Sequence, residues 1–208
     1  MRIAVVTFDG FNEIDSLVAA HILNRVPKWR AEITAPQKSI TSMNGVVIAA
    51  QQPLEFAAQA DAVIIGSGRR TREIIKDEQL MSRLRLDPSR QFIASQCSGA
   101  VVLIHLGLVG DTAVCTDRTT QRWVEAAGYE VLDRPFNAQG RVATAGGCLA
   151  SHYLATWLIW SGAGRQAAVD ALSYVLPHGE EEEYTRRALE QVAPFVLSEV
   201  AYFQAPSA

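Results

Sequence analysis

The sequence predicts an α/β fold in which helices cover both faces of a mainly parallel sheet. Short, wholly apolar runs alternate along the chain with segments of helical periodicity. Strands without polar alternation are buried on both faces, which is typical of parallel sheets. The chain has 208 residues and shows no internal repeat or linker, so a single domain over residues 1–208 is expected.

Apolar runs bounded by turn residues predict the strands. The clearest are Ile3–Val6, Ala62–Ile65 and Gln91–Ser95. Asn44-Gly45 between two β-prone runs predicts a hairpin over residues 39–48. Weaker runs predict three further strands, at residues 31–34, 112–115 and 142–144.

Apolar residues spaced three or four apart predict the helices. They fall at residues 14–25, 54–60, 71–84, 100–106, 119–127 and 149–160, and helices are expected to continue to the chain end. In such folds, functional sites lie beyond the carboxyl ends of the strands. This rule selects five loops, at residues 9–15, 66–70, 96–99, 116–118 and 145–148.

Composition and charge exclude several classes of protein. The formal net charge of -3 argues against a nucleic-acid partner. Neither a signal peptide nor an apolar run of membrane-spanning length is visible, so no membrane partner is expected. Cys97, Cys115 and Cys148 fit no zinc-binding spacing, and we expect no metal or cofactor. We therefore predict free thiols in a cytoplasmic protein.

Cys97 is the first candidate for chemistry. It follows a buried strand and precedes Ser98-Gly99-Ala100 at the start of an apolar helix. A nucleophile elbow has this construction, because small residues allow the backbone to turn sharply there. A helix N-terminus also lowers the pKa of a thiol. The alternative is an unreactive core cysteine, since free cysteines are often buried.

Two other strand ends carry polar candidates. Gly66-Ser67-Gly68 could present backbone amides to a developing anion, or could be a plain strand-to-helix turn. Glu13 and Asp15 lie at the start of the first helix, where a carboxylate can be a cap or can exchange protons with a facing cysteine. No histidine lies beside Cys97, so a Cys-His dyad is not evident; His152 is expected to pack in a helix.

Five motifs, in this order and spacing, resemble the ThiJ/PfpI superfamily of class I glutamine amidotransferase-like proteins. They are F-D-G-F-N-E-I-D, D-A-V-I-I-G-S-G, Q-C-S-G-A, G-L-V-G-D-T-A-V-C-T and T-A-G-G-C, within residues 2–162. The resemblance implies a flavodoxin-like three-layer sandwich with a nucleophile elbow, and a homodimer. Phe11 and Trp123 are candidates for an apolar dimer surface.

The resemblance also implies roles for individual residues. Cys97 falls on the nucleophile and Asp15 on its acidic partner, a choice similar to that of the isonitrile hydratase-like branch. The amide donors fall on Ser67 or Gly68 and on Ser98. Glu13 and Asp117 are the further binding candidates, beside Asp15 and after the fourth motif.

The sequence departs from the family pattern at several positions. Ser98 stands where peptidase-like members have histidine, which counts against proteolysis. Asp117 and Tyr153 replace a common histidine and a common aspartate, and G-S-G replaces P-G-G. Cys115 and Cys148 lie near the same strand ends, so extra sulfur is expected in the pocket.

Three functions remain open on the sequence. The first is hydration of an isonitrile through a Cys97 thiolate with Asp15 as acid and base, or a related glyoxalase or amidase reaction on another small electrophile. The second is a non-catalytic ligand-sensing module, although no basic DNA-recognition helix is visible. The third is an oxidative-stress protein in which Cys97 is oxidised.

Overall fold

The computed structural model of the protein describes residues 1–197, and this part of the chain contains nine β-strands. In chain order they are β1 (Arg2–Val6), β2 (Arg30–Ala35), β3 (Ser39–Thr41), β4 (Val47–Ala49), β5 (Gln52–Pro53), β6 (Ala62–Ile65), β7 (Phe92–Gln96), β8 (Phe136–Gln139) and β9 (Val142–Ala145).

Eight α-helices and three short 3₁₀ turns make up the rest of the regular structure in the described residues. The helices are α1 (Glu13–Leu23), α2 (Thr71–Ile74), α3 (Glu78–Met81), α4 (Gly99–His105), α5 (Arg118–Ala126), α6 (Ser151–Ala163), α7 (Arg165–Ser173) and α8 (Glu181–Val192). Between residues 1 and 197 no helix combines the length and the apolar character needed to cross a membrane. The expected continuation of helices beyond residue 197 lies outside the described residues.

Seven strands form the central sheet, in the order β5-β2-β1-β6-β7-β9-β8. All pairings within it are parallel except that of β8 with β9. The predicted hairpin forms separately from β3 and β4. The mainly parallel sheet of the predicted flavodoxin-like sandwich is thus confirmed.

Apolar cores lie on both faces of the sheet. On β1, Ile3 and Val5 pack in the cluster that contains Trp157 of α6, whereas Val6 packs with Val102 of α4 in the other cluster. Successive side chains of a strand point to opposite faces, so a run of apolar residues supplies both cores. The wholly apolar strands of the sequence are therefore explained by helices on both sides.

Residues 112–115 were expected to be a strand, and that expectation is wrong. Val114 makes only an isolated bridge with Val131. The edge of β9 beside it is already paired with β8, whose residues Phe136–Gln139 were not predicted as a strand. The sequence F-N-A-Q has too little apolar character to indicate a strand, and it lies at the sheet edge where polar residues are tolerated.

Two predicted helices are shorter or tighter than expected. Residues 71–84 form two short helices, because the side chain of Asp77 accepts a hydrogen bond from the amide of Leu80 and caps a new helix start. The segment predicted as a helix at 54–60 is the 3₁₀ turn Leu54–Ala58. Residues 71–84 connect the neighbouring strands β6 and β7, whereas the 3₁₀ turn connects β5 to β6, which are separated in the sheet by β2 and β1.

Candidate active site

Cys97 lies on a sharp turn between β7 and α4. Its φ angle is 47°, in the left-handed region that residues other than glycine rarely adopt. The turn is held at both backbone groups: the Cys97 amide donates to the Ala145 carbonyl at 2.8 Å, and the Thr116 hydroxyl donates to the Cys97 carbonyl at 2.9 Å. A strained cysteine between a buried strand and a helix is the geometry of a nucleophile elbow.

Gly99 explains why this turn needs small residues. A Cβ atom at this position would lie 2.5 Å from the backbone oxygen of Ile65, which is shorter than van der Waals contact allows. Glycine therefore lets the start of α4 lie directly against the end of β6. This close approach brings the Cys97 turn next to the loop that contains Ser67 and Gly68.

Asp15 faces this turn from the first turn of α1. It is completely buried, and the hydroxyl of Ser67 donates a hydrogen bond to its Oδ2 atom. A carboxylate oxygen of Asp15 and the sulfurs of Cys97 and Cys148 all lie within 4.8 Å of one another. Among the described residues, Asp15 Oδ1 has no hydrogen-bond partner, so it is available to exchange a proton.

Burial and charge couple Asp15 with Cys97. Burial raises the pKa of Asp15, against hydrogen bonds that lower it, first among them that of Ser67. Burial and then the negative charge of Asp15 raise the pKa of Cys97. The helix start was expected to lower the pKa of this thiol, and here burial and the facing carboxylate outweigh it. Each group therefore disfavours the ionised form of the other, and the two titrate as a coupled pair.

Cys148 is a site residue to which the sequence assigned no role. It begins the 3₁₀ turn Cys148–Ala150 after β9 and is half-buried. The side-chain amide of Asn12 donates a hydrogen bond to its sulfur at 3.1 Å. Burial and the charge of Asp15 raise the pKa of Cys148, and the Asn12 contact opposes them. The expectation of extra sulfur near the strand ends gave the one signal for this placement.

Ser98, Gly68 and Thr71 form a small hydrogen-bond network beside the elbow. The Gly68 amide donates to the Ser98 hydroxyl at 3.2 Å, and the hydroxyls of Thr71 and Ser98 lie 2.8 Å apart. The Gly68 amide, which was expected to donate a hydrogen bond to a developing anion, thus donates to Ser98. Ser67 also acts through its hydroxyl, which positions Asp15, and its expected role as an amide donor stays a prediction.

Glu13 lies two residues before Asp15 but has different partners. Its carboxylate accepts hydrogen bonds from the Ser42 hydroxyl and from the Asn44 side-chain amide, the second at 3.0 Å. The Ser42 hydrogen bond lowers the pKa of Glu13. Glu13 therefore ties α1 to the hairpin loop, and Asp15 is the carboxylate that contacts the cysteines.

Asp117 caps a helix at the edge of a neighbouring cleft. Its carboxylate accepts hydrogen bonds from the amides of Thr119 and Thr120 at 2.9 and 3.0 Å, and from the Thr120 hydroxyl. The cleft has a volume of about 630 Å³ and is also lined by Gly146 and Gly147. Asp117 thus lines this cleft as a helix cap, and the binding role expected for it stays a prediction.

Cys115 and His152 lie apart from the reactive groups. Cys115 is fully buried, and its amide donates to the Thr144 hydroxyl at 2.8 Å. His152 contacts the carbonyl of Leu149 through Nδ1, and its ring lies 3.8 Å from that of Tyr153. Burial lowers the pKa of His152. The expectation that His152 packs in a helix agrees with these contacts.

Asp15, Cys97 and Cys148 could also hold a metal ion. Two thiolates and a carboxylate form a ligand set that suits Zn²⁺, with a fourth position left for water. All three groups would have to lose their protons to bind the ion, so a bound ion and proton exchange would exclude each other at this site.

The family assignment rests on a match over most of the sequence. A profile of the DJ-1/PfpI family matches residues 1–159. The chain belongs to the DJ-1/PfpI family. The match spans every strand of the central sheet and includes both Asp15 and Cys97. A comparison with curated proteins gives no match.

Solved structures of DJ-1/PfpI proteins have the same fold. Schizosaccharomyces pombe DJ-1 superposes with a TM-score of 0.73 at 17% identity, over 85% of this chain and 100% of that one. Drosophila melanogaster DJ-1beta gives 0.74 at 17% identity, over 84% and 96%. A ThiJ/PfpI family protein from Pseudomonas syringae gives 0.75 at 17% identity, over 97% and 88%. At these identities the likeness establishes the fold.

Proposed function

We propose that this DJ-1/PfpI protein hydrates a small electrophile, with a terminal isonitrile as the first candidate. The observation that carries the proposal is a buried Asp15 carboxylate beside the Cys97 sulfur, with one oxygen free of other hydrogen bonds. Addition to an isonitrile needs a nucleophile and a proton for the same carbon atom. The Cys97 and Asp15 pair supplies both.

In the first step, the Cys97 sulfur bonds to the isonitrile carbon. As the bond forms, the Asp15 carboxylate takes the thiol proton and then delivers it to the same carbon. The product is a thioimidate, in which the former isonitrile carbon carries one hydrogen and the Cys97 sulfur. No proton enters from solvent in this step, so a buried pair that holds one proton is sufficient.

In the second step, water adds to the thioimidate carbon. Asp15 takes one proton from the water and passes it to the imidate nitrogen. The carbon–oxygen double bond then forms as the carbon–sulfur bond breaks. Asp15 takes the remaining proton of the added oxygen and returns it to the Cys97 sulfur, and the product is an N-substituted formamide. The sum is one isonitrile and one water to one formamide, and the enzyme returns to its starting state.

The hydroxyls near the elbow support an orienting role for Ser98. Its Oγ lies 2.8 Å from Thr71 Oγ1 and accepts from the Gly68 amide, so its position is fixed on two sides. A fixed hydroxyl next to the nucleophile can direct the attacking water or the imidate nitrogen. Ser98 cannot act as the general base that a histidine provides at this position in peptidase-like members, so we do not propose proteolysis.

The test is turnover of small isonitriles by the full chain. A small alkyl isonitrile and an aryl isonitrile are incubated with the reduced protein, and formamide formation is followed by NMR. Cys97→Ala is the control that removes the nucleophile. Formamide formation that depends on Cys97 supports the proposal. If no formamide forms but the protein converts an α-oxoaldehyde to the hydroxy acid, the isonitrile is wrong and the α-oxoaldehyde becomes the proposed substrate.

We also propose that the protein is a cytoplasmic homodimer. Phe11, an expected surface residue, is buried, and the Arg72 guanidinium lies 4.7 Å from the Trp123 ring centroid. Five large exposed apolar side chains lie on α1 and the hairpin, at Ile14, Leu17, Met43, Val46 and Val47, while Leu149 and Tyr174 are exposed elsewhere. A surface of this kind suits a second copy of the chain. Light scattering that finds a monomer at micromolar concentration would contradict the dimer.

A further inference from the structure

Two cysteines from different strand ends lie together in this site. Cys97 follows β7 and Cys148 follows β9, and their sulfurs lie within 4.8 Å of each other. Both are thiols in this structure. A disulfide requires an S–S distance of about 2.05 Å, so the sulfurs are neighbours that could be joined after a small approach. The hydration reaction uses the sulfur of Cys97 and gives that of Cys148 no part.

The two sulfurs differ in how easily a small oxidant reaches them. Only 3% of the surface of Cys97 is exposed, whereas Cys148 is half-buried and precedes Leu149, which is 74% exposed. The Asn12 side chain donates a hydrogen bond to the Cys148 sulfur, which partly offsets the burial and the Asp15 charge that raise the pKa of this thiol. An oxidant from solvent therefore meets Cys148 first.

Hydrogen bonds hold the backbones of both cysteines. The amide and carbonyl of Cys97 are bonded to Ala145 and Thr116. The Cys148 carbonyl accepts a hydrogen bond from the Ser151 hydroxyl at 2.6 Å. The approach of the sulfurs can thus come from rotation of the Cys148 side chain, which is only half-buried.

We propose that Cys148 and Cys97 are a peroxide-reactive dithiol that closes into an intramolecular disulfide. First, Cys148 gives its thiol proton to the Asp15 carboxylate, and its sulfur attacks one oxygen of a hydroperoxide. The O–O bond breaks and Cys148 becomes a sulfenic acid, while the other oxygen takes the proton from Asp15 and leaves as water or an alcohol. The sulfur is oxidised by two electrons, and the peroxide is reduced by two electrons.

Second, the Cys97 sulfur attacks the sulfur of the Cys148 sulfenic acid. The S–S bond forms as the S–O bond breaks, and the hydroxide leaves as water. Asp15 takes the proton from the Cys97 thiol and gives it to the leaving hydroxide, because it lies within reach of both sulfurs. The overall change is loss of one hydrogen from each cysteine.

The disulfide would protect the Cys97 sulfur from further oxidation and would also block its reaction with a substrate. While it is closed, Cys97 can neither react with a substrate nor be oxidised to a sulfinic acid, and a small dithiol restores both thiols. That the disulfide would switch off hydration rests on the proposed function. The disulfide itself does not, because its formation is measured by mass and thiol count without any substrate.

The experiment treats the reduced full-length protein with hydrogen peroxide in the presence of a metal chelator. Closing the disulfide lowers the free thiols, counted in denaturant, from three to one. The intact mass falls by two hydrogen atoms, and dithiothreitol reverses both changes. Trypsin then yields residues 91–118 joined to residues 142–165.

Cys115→Ala is the matched control variant, because Cys97 and Cys115 lie in the same tryptic peptide. The joined peptides must persist in Cys115→Ala and be absent in Cys148→Ala. The inference is overturned if the wild type only gains oxygen, if the link uses Cys115, or if it joins two chains. If isonitriles are not turned over and the disulfide still closes, the proposed function fails and the inference stands. If isonitriles are turned over and the disulfide does not close, the inference fails and the proposed function stands.

Discussion

Cys97 and Cys115 are both buried and both lie beside β9, yet their surroundings differ. Burial raises the pKa of Cys115 to about 11, and the Arg134 guanidinium opposes this rise. Burial also raises the pKa of Cys97, but there the next cause is the negative charge of Asp15, which adds to it. Burial is therefore common to both thiols, and the facing charged group distinguishes them. The basic neighbour favours the thiolate of Cys115 but offers no proton acceptor, whereas the carboxylate disfavours the thiolate of Cys97 and can accept its proton.

The backbones of the two cysteines differ as well. Cys97 has a φ angle of 47°, and hydrogen bonds from the neighbouring loops hold this conformation. Cys115 follows Val114, whose isolated bridge to Val131 is the only β pairing there in the described residues. Strain at a single residue costs on the order of 1–3 kcal/mol and persists only where the surroundings impose it. Strain at Cys97 lowers the stability of the fold but fixes the direction of its sulfur, whereas the Cys115 loop carries no such strain.

The largest expected effect is loss of the Cys97 sulfur. Cys97→Ala should reduce isonitrile turnover to the uncatalysed rate, because no other described sulfur lies on the elbow. Cys115→Ala should keep the wild-type rate. The measurement is formamide formation under identical conditions, with circular dichroism to confirm that both variants are folded. Equal rates for Cys97→Ala and wild type would end the distinction between the two cysteines.

Replacement of the carboxylate should have the next largest effect. Asp15→Asn keeps the shape of the side chain and can still accept a hydrogen bond from Ser67, but it cannot take the thiol proton. Turnover should fall by roughly 10²–10⁴-fold, the usual range for loss of a positioned acid–base group. Glu13→Gln is the matched control and should change the rate by less than about threefold, since its contacts are with the hairpin. A normal rate for Asp15→Asn would remove Asp15 from the mechanism.

Much of this site could be predicted because its signals are local. Cys97 is recognisable from an apolar strand followed by small residues, and the small residue Gly99 is required by its 2.5 Å approach to the Ile65 oxygen. The choice between Glu13 and Asp15 could not be made from helix position, since both lie in the first turn of α1. That choice came from the family resemblance, and the contact of Asp15 with the sulfurs agrees with it.

Other features depend on contacts distant in sequence, which no local pattern contains. Asn12 contacts Cys148 across 136 residues, so neither residue type indicated the pair. The run 112–115 has the apolar character of a strand, but β8 already occupies the edge of β9. The thiol pKa was expected to follow the helix start, and burial beside Asp15 reverses the direction. Each miss arises where tertiary packing outweighs a local preference.

Alkylation can test the electrostatic part of the comparison without a substrate. Removing the negative charge in Asp15→Asn should lower the pKa of Cys97, because that charge is one of the causes that raise it. At a fixed neutral pH, iodoacetamide should then label Cys97 roughly tenfold faster, as a shift of one pKa unit would give. Labelling of Cys115 should not change. Slower labelling of Cys97 in this variant would show that Asp15 activates the thiol at rest.

The smallest expected effect concerns Ser67, which acts through Asp15. Its hydroxyl donates to Asp15 Oδ2, and this hydrogen bond lowers the pKa of Asp15. Ser67→Ala should therefore raise the pKa of Asp15, so that a second proton binds to the Cys97 and Asp15 pair at higher pH than in the wild type. The active pair holds one proton, and the acidic limb of the pH–rate profile should move to higher pH. Loss of one hydrogen bond to a charged group predicts a fall in turnover of about tenfold at mildly acidic pH and less at alkaline pH. Ser67→Thr keeps a hydroxyl and should restore the wild-type profile if its extra methyl is accommodated, whereas a uniform fall at every pH in Ser67→Ala would mean that Ser67 serves only the packing of the loop.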